Sequence, residues 1–178
     1  ITSSDADDIS FVNGTDDVVL DDTYPIYVFK MYNCHGDTDA KTWSVNFSTD
    51  TGSNYNVTKT TTSFNAFHQE DDGGNILKYK TDGDLAQGTG FQNLIDTDAT
   101  SSGADEGSSG TLWLFDPSST TFVTNFVARV NSCMATPGTN DYLVSGYCND
   151  TGAVDAVRFK MSSGTLDGTI KLFGIKDS

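Results

Sequence analysis

Few residues in this chain have the types and spacing that chemistry needs. Cys34 stands beside His35, and a thiol paired with an imidazole is how many hydrolases make a nucleophile. Neighbours on a strand point to opposite faces, so this pair is not expected to meet. No Gly-x-Ser-x-Gly elbow is present, and His35 and His68 are the only histidines available as a base. Gly88-Thr89-Gly90 lacks the third glycine and the following helix of a dinucleotide loop. Structural zinc needs four ligands, and Cys34, Cys133 and Cys148 show no Cys-x-x-Cys spacing. Calcium has better raw material. Asp5-Asp7-Asp8, Asp16-Asp17 with Asp21-Asp22, Asp37-Asp39 and Asp71-Asp72 each offer oxygen ligands. None follows the twelve-residue calcium loop, so a site would have to be built from two loops, and the plainer expectation is solvated Asp capping turns. Two carboxylates at a hydrolase's separation would arise by chance among 25 acids. We therefore assign no catalytic, cofactor-binding or metal residue, and expect a protein that is not an enzyme.

Aromatic side chains could instead stack on sugars. Trp43 shares a strand face with Val45 and Phe47, so core packing is its expected role. Trp113 is subject to the same choice. Tyr142 and Tyr147 flank a loop-rich region and are expected nearer the surface. Asn13, Asn46, Asn56 and Asn149 begin Asn-x-Ser/Thr triplets, which an Asn- and Thr-rich chain produces without meaning.

The elements that must carry these residues read as strands. In 178 residues there is room for one domain with a substantial core. The net charge is −15, with a pI near 4.1. Only Glu70 and Glu106 are Glu; the remaining acids are Asp, which favours turns over helices. The acidity therefore belongs to loops, and it argues against nucleic-acid and anionic-membrane partners. An odd number of cysteines suits a reducing cytosol better than a disulfide framework. The first residues have neither the basic nor the apolar segment of a secretory leader, and no apolar run approaches a membrane span.

Along the chain, residues 1–8 are polar and read as a flexible N-terminal arm, with a single domain over 9–178. Short strands are expected at 9–12 and 18–20 around the Asn13-Gly14 turn. A central strand follows at 24–34. Residues 42–48 alternate most cleanly, with Trp43, Val45 and Phe47 on one face. Residues 55–67 are strand-prone with a weaker pattern, and 76–79 form a short strand. Residues 96–110 read as a long irregular loop. Strands are then expected at 111–115, 121–130 and 143–148. At the end, Val157, Phe159 and Met161 alternate with Arg158 and Lys160. A Ser162-Ser163-Gly164 turn and an apolar run over 169–175 follow, together reading as a closing hairpin. Arg158 and Lys160 are expected to pair with Asp. No segment has a helical apolar stripe. Roughly eight to eleven strands at this spacing predict an all-β protein. Its expected form is an antiparallel two-sheet β-sandwich of jelly-roll type, with an immunoglobulin-like sandwich as the alternative.

Several stretches resemble a family of small β-rich structural proteins of tailed bacteriophages, notably marine and cyanobacterial ones. They are Tyr24 to Asn33 (Tyr-x-x-Tyr-Val-Phe), Ser48 to Tyr55, Gly110 to Pro117, Val154 to Phe159, Met161 to Gly164, and Gly168 to Ile175. They run in order over nearly the whole chain; the three cysteines are not part of the resemblance. The resemblance implies a virion component, assembled in the bacterial cytoplasm and exposed on the virion surface. A sandwich pattern that starts almost at once, with no shaft-like segment, favours a capsid decoration (cement) protein. Its expected partners are further copies of itself, as a homotrimer, and other virion proteins such as the major capsid protein. The alternatives are a tail-fibre module that binds host glycans and, from another class, a carbohydrate-binding module or hydrolase.

Overall fold

The computed structural model describes residues 1–96, 102–103, 105–134 and 136–177. Among the described residues there are twelve strands. They are β1 (Thr2–Ala6), β2 (Ile9–Val12), β3 (Ile26–Gly36), β4 (Trp43–Ser48), β5 (Lys59–Gln69) and β6 (Asn75–Tyr79). Then come β7 (Gln92–Asn93), β8 (Ser108–Phe115), β9 (Asn125–Cys133), β10 (Gly138–Cys148), β11 (Ala156–Met161) and β12 (Leu166–Ile175). Every pairing is antiparallel. A large sheet has the order β1-β12-β3-β8-β9-β10-β5-β6, and a small sheet has β2-β11-β4-β7. The two pack face to face, so the chain is a β-sandwich.

The core forms where the cleanest alternations meet. Val45 lies opposite Phe159, Phe47 opposite Val157, and Trp43 opposite Met161 in the β4–β11 register. These side chains face Tyr27, Phe29 and Met31 of β3, Leu112 and Leu114 of β8, and Phe126, Ala128 and Val130 of β9, all buried. Phe159 is a hub, with ring centroids 5.4 Å from Phe29, 6.1 Å from Trp43 and 6.2 Å from Phe11. Phe47 meets Phe126 at 5.0 Å. Such tilted and edge-on pairs add about 0.5–1.5 kcal/mol each beyond their buried area.

Four expectations give way. The final hairpin does not exist as a pair: β11 sits in the small sheet between β2 and β4, whereas β12 sits in the large sheet between β1 and β3. The turn between them crosses the edge of the sandwich. It is held by Ser162 N donating to Thr42 O, by Thr165 N donating to Asp37, and by Gly164 at φ 78°. Local alternation cannot say which sheet a strand joins. The polar arm is strand β1, tied to β12 by backbone bonds between Ile1 and Ile170 and by Ser3 Oγ donating to Leu166 O. Residues 18–20 are not a strand. The segment folds back on itself through Gly14 N to Val18 O, and Leu20 is buried with its N–H on the Asn13 side-chain oxygen. The irregular stretch is shorter than 96–110, because β8 begins at Ser108; residues 97–101 and 104 lie outside the described residues.

Candidate functional site

The sequence candidates disperse. Cys34 is buried, and desolvation pushes its thiol up to about 12, so it holds no thiolate near neutrality. His35 sits on the other face, its Nε2 3.6 Å from Asp167. Some of these Asp cap local turns, and others tie together segments far apart in sequence. Asp21 accepts from Thr23 N, Asp37 from Thr165 N, Asp71 from Gly73 N and Asp39 from Ser102 N. Hydroxyl and backbone hydrogen bonds, from Thr23 to Asp21, from Thr38 and then Thr165 to Asp37, and from Ser102 to Asp39, hold these three carboxyls below the ordinary value. Among the described residues no three His, Cys, Asp or Glu gather in a way that could hold a metal ion. Trp43 is in the core as expected, but so is Tyr142, at 1% exposure. Tyr142 alternates inward with Val144 on β10, opposite the polar Asn65 of β5, and Gly83 packs against its hydroxyl. Arg158 stands 3.4 Å from Asp8 and 4.0 Å over the Tyr55 ring; Lys160 lies over Phe91 and not beside an Asp. Asn46, the second of the Asn-x-Ser/Thr sites, is fully buried.

Two features went unflagged by the sequence. The first is the outer face of the large sheet. Directly opposed residues share a face, and the registers line up Phe173, Val28, Trp113 and Val127 across β12, β3, β8 and β9. One row further along β10, Leu143 lies opposite Phe64 of β5, which lies opposite Tyr79 of the edge strand β6. Val127, Phe173, Phe64, Tyr79 and Leu77 are between 40% and 73% exposed. All five residues of β6 are exposed, and no strand pairs its far edge among the described residues. A groove of about 500 Å³ indents this face between β8, β9, β10 and β5. The bidentate Arg129–Asp141 ion pair crosses it, at 2.6 Å for its shortest contact.

The second feature is a polar seam beneath β5. Its inward residues are Lys59, Thr61, Ser63 and Asn65, all buried. Each has a partner. Lys59 Nζ donates to Asn46 Oδ1 (2.5 Å) and Val57 O (2.7 Å), and Thr61 Oγ1 donates to Gln92 Oε1 (2.6 Å). Ser63 Oγ donates to Lys80 O, and Asn65 Nδ2 to Asp96 Oδ2. Gln92 Nε2 in turn donates to Gly83 O. The segment from Lys80 to Asp96 thus docks on the sandwich through these side-chain hydrogen bonds, through backbone bonds to β4 and β5, and through Leu94 and Ile95, which are buried in the core. At the far end Lys80 Nζ meets Asp96 at 2.9 Å and Asp82 at 3.3 Å. The signal for this seam lay in the weak alternation of 55–67: small polar residues held the inward phase.

No family model, no curated protein and no solved structure matches this chain.

Proposed function

We propose that the chain is a structural component of a bacteriophage virion, seated on the capsid exterior as a trimeric decoration protein. The observation that carries this reading is the outer face of the large sheet. An apolar row runs across it and ends at an uncovered edge strand bearing Ile76, Leu77 and Tyr79. A largely apolar strip on the outer face of a sheet suits a contact surface, and an exposed apolar edge strand invites a protein neighbour. The net charge of −15 supports the same reading, since it keeps the exterior soluble and away from packaged genome. The resemblance of 24–33, 110–117 and 154–175 to phage structural proteins names the class of particle.

The test is to add purified protein to capsids that lack it. Sedimentation should give a trimer, and the capsids should take it up at lattice-scale copy numbers. A monodisperse monomer that leaves those capsids bare defeats the proposal. A handful of copies per virion, located at the tail, defeats its capsid assignment.

A further inference from the structure

Lys59 is an unusual lysine. It is fully buried at the first position of β5, and among the described residues no carboxylate stands within ion-pair distance of it. Its Nζ lies instead against the side-chain amide of Asn46 on β4, at 2.5 Å from Oδ1. That amide is held on every side. Oδ1 also accepts from the Phe47 backbone N–H at 2.9 Å, and Nδ2 donates to Tyr55 O and to Thr89 O. Asn46 is itself fully buried, so water has no ready access to the pair.

The geometry points to a self-made covalent link: an isopeptide bond between Lys59 Nζ and Asn46 Cγ that joins the small sheet to the large one. A neutral amine attacks the amide carbon. The Nζ–Cγ bond forms, the Cγ–Nδ2 bond breaks, and one Nζ proton ends on the departing nitrogen, so lysine amine plus asparagine amide give a secondary amide and ammonia. No oxidant or co-reactant is needed. Each contact has a part. The Phe47 N–H faces the oxygen that gains negative charge in the tetrahedral intermediate, as an oxyanion donor does. The Tyr55 and Thr89 carbonyls already grip the nitrogen that leaves. Fixed contact between amine and amide supplies the effective concentration that a free pair lacks. Burial also pushes the Lys59 ammonium down to about 8, against a smaller opposing influence from Cys148, its cross-strand partner; a neutral fraction therefore exists near pH 7.

Intact-mass spectrometry of the whole folded protein tests this. The wild type should weigh one ammonia less than its sequence. Trypsin should fail to cut after Lys59 and release a Thr42–Lys78 peptide carrying the same deficit, with fragment ions placing the bond between Asn46 and Lys59. Lys59→Arg and Asn46→Ala should each restore the full mass. Full sequence mass in the wild type overturns the proposal. A deficit that persists in Lys59→Arg also overturns it, because asparagine can lose ammonia alone by forming a succinimide. Fragment ions from the wild-type peptide decide the matter even where a variant fails to fold.

Discussion

The two ends of the seam beneath β5 bury a lysine each and treat it in opposite ways. At one end Lys80, 7% exposed, is clasped by Asp96 and Asp82. Burial alone would lower its pKa, but the hydrogen bond and charge of Asp96, and then those of Asp82, outweigh it and hold the ammonium above its ordinary value. At the other end the hydrogen-bond partners of Lys59 among the described residues are an amide and a backbone carbonyl, and desolvation wins. The difference lies in the partner's charge and not in depth. A buried ammonium facing a carboxylate is an ion pair with nowhere further to react. One facing an amide gives up its proton more easily and becomes a nucleophile hydrogen-bonded to the amide it would attack.

The strongest way to break this contrast is Lys80→Met. It keeps the side-chain length but leaves Asp96, itself 8% exposed, without the ammonium that faces it. Removing one partner of a buried pair costs about 3–5 kcal/mol. Denaturant unfolding at pH 7 should show a loss of that size. A loss below about 1 kcal/mol, the scale of an exposed pair, would mean that Asp96 does not depend on Lys80, and the two ends would not differ as argued.

The seam also shows where the sequence was legible and where it was not. The strands β4 and β11 could be read at once, because Trp43, Val45, Phe47 and Val157, Phe159, Met161 hold a strict period of two. Strand β5 reads weakly because its buried phase is Lys59, Thr61, Ser63 and Asn65, and the hydrogen bonds that make such burial tolerable come from Gln92 and Asp96, some thirty residues on. Strand β1 hides for a related reason: its apolar content is low, and backbone pairing to β12 orders it. The placement of β11 and β12 in different sheets depends on β2, β3 and β4, and nothing between Val157 and Ile175 encodes it. On the outer face, Trp113 and Val127 look like core residues in one dimension, since apolar residues occupy both phases of β8 and β9. Only the sheet order shows that their face is uncovered.

A pH series sharpens the contrast further. In Asn46→Ala the link cannot form, and Lys59 stays an amine with a folded pKa depressed toward 8 from an ordinary 10.5. Between those values the unfolded chain binds more protons than the folded one, so stability rises with pH across that window. The gain is on the order of 3 kcal/mol. It is read as the difference between Asn46→Ala and the double variant Asn46→Ala/Lys59→Met, in which other titrations cancel. Lys80 runs the other way. Its folded pKa is raised, so its contribution is fully present below the ordinary value and is lost as pH rises through the folded one. A flat difference from pH 8 to 10.5 would show that Lys59 is not held as a desolvated amine.

The smallest effect on stability comes from a third lysine, placed where depth is absent. Val127 follows Phe126 and precedes Ala128 on β9; those two are buried, whereas Val127 faces outward at 40% exposure, in register with Trp113. In Val127→Lys the long stem can lie along Trp113, its neighbour on β8, while its ammonium stays in water. Surface changes of this kind fall within about 0.5 kcal/mol, so the unfolding midpoint of the isolated subunit should hardly move. The same charge sits in the middle of the apolar row, and in an assembled particle it would need the partner of Lys80 or suffer the desolvation of Lys59. Self-association and capsid uptake should therefore fall sharply while folding is preserved. A variant that folds, assembles and binds as the wild type does would show that the outer face of the large sheet is not the contact surface.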